Sequence, residues 1–204
     1  MLDHFARPLI DPPLNLLGRW LARRGASANA VTLAGLVLGL MAVPAILLGL
    51  WGWALAAILA SRLADGLDGA VARAGVQSDL GGYFDIVADF AFYGAVPLAF
   101  VWADPAANSA AGAALLAAFY VNAASFMGFA VLAAKRGLTT EARGRKSWYH
   151  AGGLLEGTET IAFFVAFCLW PAAFAAIAWV FAALCLLTAA LRTGVACVRF
   201  RDQG

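Results

Sequence analysis

Apolar runs of about twenty residues recur six times along this chain, and no other feature narrows its fold as much. A hydrocarbon core about 30 Å thick is crossed by about 20 helical residues, because each adds about 1.5 Å of rise. The runs fall at roughly 29–50, 52–74, 80–102, 108–134, 152–170 and 173–195. With 63% of its 204 residues apolar and 13% charged, the composition excludes a soluble globular domain. Gly49, Gly52, Pro105 and Pro171 punctuate three of the breaks, and Lys135 to Lys146 form a longer polar loop. The fold class expected is all-α and integral to the membrane, with six transmembrane helices forming one domain over 29–204.

The segment 1–28 is too charged and too interrupted by proline to be a cleavable signal peptide. Pro12 and Pro13 suit a helix start, and Leu14, Leu17 and Leu21 repeat at helical spacing beside Arg19, Arg23 and Arg24. That pattern predicts an N-terminal interfacial amphipathic helix; a disordered basic tail is the alternative. The 14 Lys and Arg cluster in this segment, at Arg62 and Arg73, in the loop from Lys135 to Lys146, and from Arg192 to Arg201. The turns near Trp51, Asp104 and Pro171 carry none. By the positive-inside rule both termini are cytoplasmic, which requires an even number of spans. The net charge of +2 is thereby explained by topology and anionic headgroups, so no nucleic-acid partner is expected. Cys168, Cys185 and Cys197 have neither metal-like spacing nor an even count, and read as packing residues.

Against this apolar background stands the stretch DGLDGAVARAGVQSDLGGYFDIVAD, from Asp65 to Asp89. Ionisable groups at membrane depth are costly and normally face a protein interior or a watery cavity. At about 100° per residue, Asp65 and Asp68 lie within about 60° of each other, with Gly69 and Ala72 on the same face. Asp85 and Asp89 differ by about 40° on the next helix, with Gly81 a further step of four behind. A short loop joins the two helices, so they are expected to be antiparallel neighbours with converging acidic faces. Four converging carboxylates need shared protons or bound cations, and oxygen-only ligands favour Mg²⁺ or Mn²⁺. Two ions could be held in this way, as in enzymes that displace phosphate esters. Gly66, Gly69, Gly81 and Gly82 bare the backbone, either for close helix packing or for a flat ligand.

Asp65-x-x-Asp68-Gly69-x-x-Ala72-Arg73, followed by Gly81-x-x-x-Asp85-x-x-x-Asp89, resembles the signature of the CDP-alcohol phosphatidyltransferases. The segment between Arg73 and Gly81 is one residue shorter than is usual there, a change a loop can absorb. Asn29-Ala30-Val31-Thr32 is similar to that family's Pro-Asn-x-x-Thr, with Ala28 in place of the proline. The family also has six spans, cytoplasmic termini and an interfacial first helix.

The resemblance implies transfer of the phosphatidyl group of a CDP-alcohol, commonly CDP-diacylglycerol, to an acceptor hydroxyl with release of CMP. Carried over by position, Asp65, Asp68, Asp85 and Asp89 form the metal site for Mg²⁺ or Mn²⁺, two per site, with Asp89 also the general base. Gly69, Ala72, Arg73, Asn29 and Thr32 then face the nucleotide and diphosphate, with topology as the alternative role for Arg73. The resemblance further implies a homodimer, for which Gly94, Ala95, Gly112 and Ala113 offer close-packing surfaces. A bacterial inner membrane is the expected location, with the active site cytoplasmic.

The acceptor alcohol is not legible. Arg143, Arg145 and Lys146 are candidates for an acceptor phosphate or headgroup, with topology and lipid contact as the alternative. Glu156 and Glu159 either line an acceptor pocket or compensate a helix dipole. Arg192 is a candidate for burial against the site, and Tyr120, Asn122 and Ser125 read as interhelical hydrogen bonders. The competing class is a transporter or channel relaying protons or cations through these carboxylates. It predicts polar groups through both leaflets, whereas the half of the membrane opposite the acidic stretch is almost purely apolar and no internal repeat is evident.

Overall fold

The computed structural model describes residues 3–75, 78–137, 155 and 157–201. These form helices and their connecting turns, with no strand among the described residues. The helices are α1 (Asp3–Arg23), α2 (Ala28–Leu40), α3 (Ala42–Leu47), α4 (Trp51–Ala74), α5 (Asp79–Ala103), α6 (Pro105–Lys135), α7 (Gly157–Leu169) and α8 (Phe174–Arg199). Among the described residues four segments are long and apolar enough to cross a membrane: Ala28–Leu47, Asp79–Ala103, Pro105–Lys135 and Pro171–Arg199. Helix α4 fits a bilayer in length, but Arg62, Asp65, Asp68 and Arg73 lower its hydropathy; the described part of α7 is shorter.

Local chemistry explains most of the boundaries. Ser27 and Ser78 cap α2 and α5 by accepting hydrogen bonds from the Ala30 and Gly81 amides, and Asp104 caps α6 the same way through Ala107. Gly49 ends α3 at φ 70°, with its amide donating to the Ile46 carbonyl and Leu50 N–H donating to Ala45, a Schellman closure that needs a left-handed residue. The first apolar run is expected to be one helix, yet it breaks at Met41 between α2 and α3. Pro44 accounts for this, since it has no N–H and its ring crowds the carbonyl four residues back. Helix α1 begins at Asp3 rather than at Pro12 and Pro13. Both prolines are exposed, so water can satisfy the carbonyls they leave without donors.

Successive helices return through the bundle, and aromatic side chains fill the end opposite the acidic stretch. The Phe100 ring stacks on Phe174 at 4.9 Å and on Trp51 at 5.7 Å, while Phe167 lies 4.7 Å from Phe174. Phe92, Phe164 and Phe181 extend this core towards the middle of the bundle. In lipid such contacts stabilise by close packing rather than by leaving water. Trp53, Trp102 and Trp170 project outward at that same end, as an interfacial aromatic belt would.

The acidic helices are not the tight neighbours their short loop implies. Both α4 and α5 pack on α2, which is wedged between them, and α5 packs about equally on α6. Glycine makes this possible. A Cβ at Gly35 would lie 3.0 Å from the Ala64 Cβ, and one at Gly39 would lie 2.5 Å from the Phe92 ring and 2.7 Å from Ser61 Oγ. A cleft is thereby left between α4 and α5. Helix α1 closes on the outer side of α4, where Gly18 sits against Ala70 and Leu14 fills the space over Gly66. Gly66 therefore serves packing. So does Gly112, where any side chain would run into Val101 of the same chain, which removes it from the candidate dimer surface.

Candidate active site

The cleft is narrow and is lined by Thr32, Asp65, Asp68, Asp85 and Asp89, with Arg62 and Ser61 at its base. One carboxylate oxygen from each of Asp65, Asp68 and Asp85 can be chosen so that all lie within 4.8 Å of one another. Asp68 is buried, and Thr32 Oγ1 lies 2.6 Å from its Oδ2 and 3.0 Å from the Ala28 carbonyl. The single hydroxyl proton serves one of these acceptors at a time. Asp85 Oδ1 is buried without a hydrogen-bond partner. Three carboxylates, one of them with a buried oxygen that lacks a partner, suit a divalent cation. Metal–oxygen bonds of about 2.1 Å place ligand atoms about 3–4.2 Å apart, a modest contraction of the observed cluster.

Asp89 is placed differently. Its Oδ1 accepts a hydrogen bond from Arg62 Nη1 at 2.7 Å, and the same nitrogen lies 3.7 Å from Asp65 Oδ2. The Arg62 side chain is only 9% exposed. Its guanidinium lies 4.2 Å over the Phe92 ring and 5.4 Å from that of Tyr93, with Nη2 donating to Ser61 Oγ at 3.2 Å. Arg62 is thus a buried part of the cleft, whereas its sequence position reads only as a topology signal.

The remaining candidates divide. Asn29 lies beside Gly81, its Oδ1 3.0 Å from where a Cβ would stand, and Gly82 opens onto free space. Ala72 is half-buried, and Gly69 has the Arg73 Nη1 as its nearest neighbour. Arg73 itself donates to Asn15 Oδ1 at 3.0 Å, so it ties α4 to α1 on the exposed surface. Glu159 stands half-buried in the first turn of α7 and does not line the cleft. Arg143, Arg145, Lys146 and Glu156 lie outside the described residues. Arg192 is buried, but against α6 rather than the acidic cleft: it donates to Asn122 Oδ1 at 2.9 Å and Ser125 Oγ at 2.7 Å. Asn122 and Ser125 thus do bond between helices, while Tyr120 is 79% exposed.

The family model for CDP-alcohol phosphatidyltransferase matches residues 26–198. The chain belongs to this family. It is 46% identical over 188 residues to the inner membrane protein YnjF of Escherichia coli strain K12, covering 92% of this chain and 91% of that one. Its fold resembles the Mycobacterium tuberculosis phosphatidylinositol phosphate synthase PgsA1. The crystal structure of PgsA1 with CDP-DAG bound aligns with a TM-score of 0.66 at 22% identity, over 94% of this chain and 98% of that one. The PgsA1 complex with manganese and citrate aligns at 0.63 and 22% identity, over 89% and 88%. All eight positions of the family signature, from Asp65 to Asp89, lie on α4 and α5, and its four aspartates line the cleft.

Three features of this family member escape the signature. Arg62 stands three residues before Asp65, on the same helical face, and an arginine inside an apolar span is itself a signal. Gly35 and Gly39 form a small-x-x-x-small pair that predicts close helix approach. Ser61 carries no sequence mark that separates it from any buried serine.

Proposed function

We propose that this chain transfers the phosphatidyl group of CDP-diacylglycerol to the hydroxyl of an acceptor alcohol and releases CMP. The observation that carries this reading is the cleft in which Asp65, Asp68 and Asp85 converge beside Asp89. The CDP-DAG and manganese of the two PgsA1 structures support the same donor and cation class.

In this reading Asp65, Asp68 and Asp85 hold Mg²⁺ or Mn²⁺. Bound there, a divalent cation neutralises the diphosphate and makes CMP a better leaving group. Thr32 fixes the Asp68 carboxylate. Gly69, Ala72, Gly81 and Gly82 leave bare backbone for the nucleotide, with Asn29 and Arg73 at its edge. Asp89 accepts the acceptor's proton as the hydroxyl oxygen bonds to the lipid-side phosphorus and the bond to the CMP oxygen breaks. Arg143, Arg145, Lys146 and Glu156 are the candidates for acceptor or headgroup recognition, with Glu159 outside the cleft lining as a further one.

The membrane setting follows from the same reading. Residues 29–204 form the catalytic domain with six spans: the four long apolar segments, α4 and α7. Helix α1 lies at the cytoplasmic surface, and both termini and the cleft face the cytoplasm. The E. coli relative's name supports an inner membrane. The family reading also carries a homodimer, for which Gly94, Ala95 and Ala113 remain as candidate contacts.

The test is to incubate purified protein with CDP-diacylglycerol, Mn²⁺ or Mg²⁺, and glycerol phosphate, serine, inositol, inositol phosphate or choline in turn. One acceptor is expected to yield a new phospholipid in step with CMP. No consumption of CDP-diacylglycerol with any acceptor, combined with carboxylate-dependent cation flux in vesicles, would favour the transporter.

A further inference from the structure

Asp89 is one of four carboxylates at the cleft, yet it is the one that does not join the metal-binding cluster. Arg62 is the reason. Its Nη1 is 2.7 Å from Asp89 Oδ1, and Nη2 is anchored on Ser61 Oγ at 3.2 Å. The Phe92 ring at 4.2 Å closes one face of the guanidinium. A guanidinium this buried needs an anionic partner and keeps its charge. Ser61 and Phe92 both stand against Gly39 of α2, where a Cβ would lie 2.7 Å from Ser61 Oγ and 2.5 Å from the Phe92 ring.

We propose that Arg62 is a positioning residue that reserves Asp89 from the metal set, so that each chain binds one divalent cation tightly and the guanidinium stands where a second would sit. This rests on the phosphatidyltransferase reading and refines it. Two ions about 3.5–4 Å apart would each need carboxylate ligands. With Asp89 engaged, three carboxylates serve the metal, and a second cation would approach a fixed positive charge. The reserved carboxylate keeps its other oxygen for the acceptor's proton.

Arg62→Gln frees Asp89, and the variant is expected to bind a second Mn²⁺ whose electron spin couples to the first. Its kcat is expected to fall by about 10²-fold with little change in KM for CDP-diacylglycerol, and Arg62→Lys, which keeps the charge, to recover much of the loss. The measurement is Mn²⁺ titration of protein in lipid nanodiscs, counting bound ions and recording the electron paramagnetic resonance spectrum. The wild type is expected to give one tight, magnetically isolated Mn²⁺, and Asp89→Asn to leave that count unchanged. These two results decide the matter even if Arg62→Gln fails to fold. Two coupled Mn²⁺ in an active wild type would overturn the role of Arg62 and leave the function intact. Absence of both Mn²⁺ binding and CMP release would overturn the function and this inference together.

Discussion

Asp65, Asp68, Asp85 and Asp89 share one kind of side chain but not one environment. Asp68 is buried and fixed by Thr32, Asp85 has an orphaned oxygen, and Asp89 is held by Arg62. Asp65→Asn or Asp68→Asn is therefore expected to lower Mn²⁺ affinity and abolish turnover together. Asp89→Asn should keep the metal while turnover falls by about 10²-fold or more, since it loses a base rather than a ligand. Isothermal titration with Mn²⁺ beside CMP assays separates the two classes, and equal loss of affinity in all three variants would contradict the division. Which carboxylates share a face was legible in the sequence, because helical periodicity sets angles within one helix. The partner of Asp89 was not, because a residue's own helix says nothing about what stands opposite. Arg62 shows the difference: its charge was plain, but the same charge also fits a topology signal.

Helix α2 controls the spacing of the two helices that carry the acids. Its glycines set the approach, so Gly39→Val should push against Phe92 and Ser61 and displace the base of the cleft. An overpacked contact of this kind costs about 1–3 kcal/mol. A lower melting temperature in detergent is expected, together with reduced turnover, while Gly52→Ala, which meets nothing within 4 Å, should leave both unchanged. Equal melting temperatures for the two variants would contradict the wedge. The helices themselves were largely readable: the run expected at 52–74 is α4 at Trp51–Ala74, and that at 80–102 is α5 at Asp79–Ala103. Their packing partners were not, because the short loop allows adjacency without requiring it. The break at Met41 follows from Pro44, whose effect depends on whether neighbouring helices support the freed backbone groups.

For the whole molecule, the acids gather at one end of the bundle and aromatic packing fills the other. If the acidic end faces the cytoplasm, single cysteines at positions 65, 68, 85 and 89 should react with impermeant thiol reagents from that side only. The exposed Cys197 must first be replaced, whereas Cys168 and Cys185 are buried. Labelling from the opposite side would mark an alternating path. The positive-inside pattern carries this orientation at the scale of the chain, where charge statistics are informative and individual contacts are not.

If the carboxylate cleft catalyses metal-dependent phosphatidyl transfer from CDP-diacylglycerol, CMP must appear only when a divalent cation is present. Release of CMP by the purified wild type, measured after chelation and again after graded return of Mn²⁺ or Mg²⁺, tests it most directly. Activity should vanish with EDTA, return with either ion, and stay absent in Asp68→Asn at every ion concentration tried. Full-rate CMP release in excess EDTA from protein free of retained metal, or an Asp68→Asn variant as active as the wild type, would contradict it.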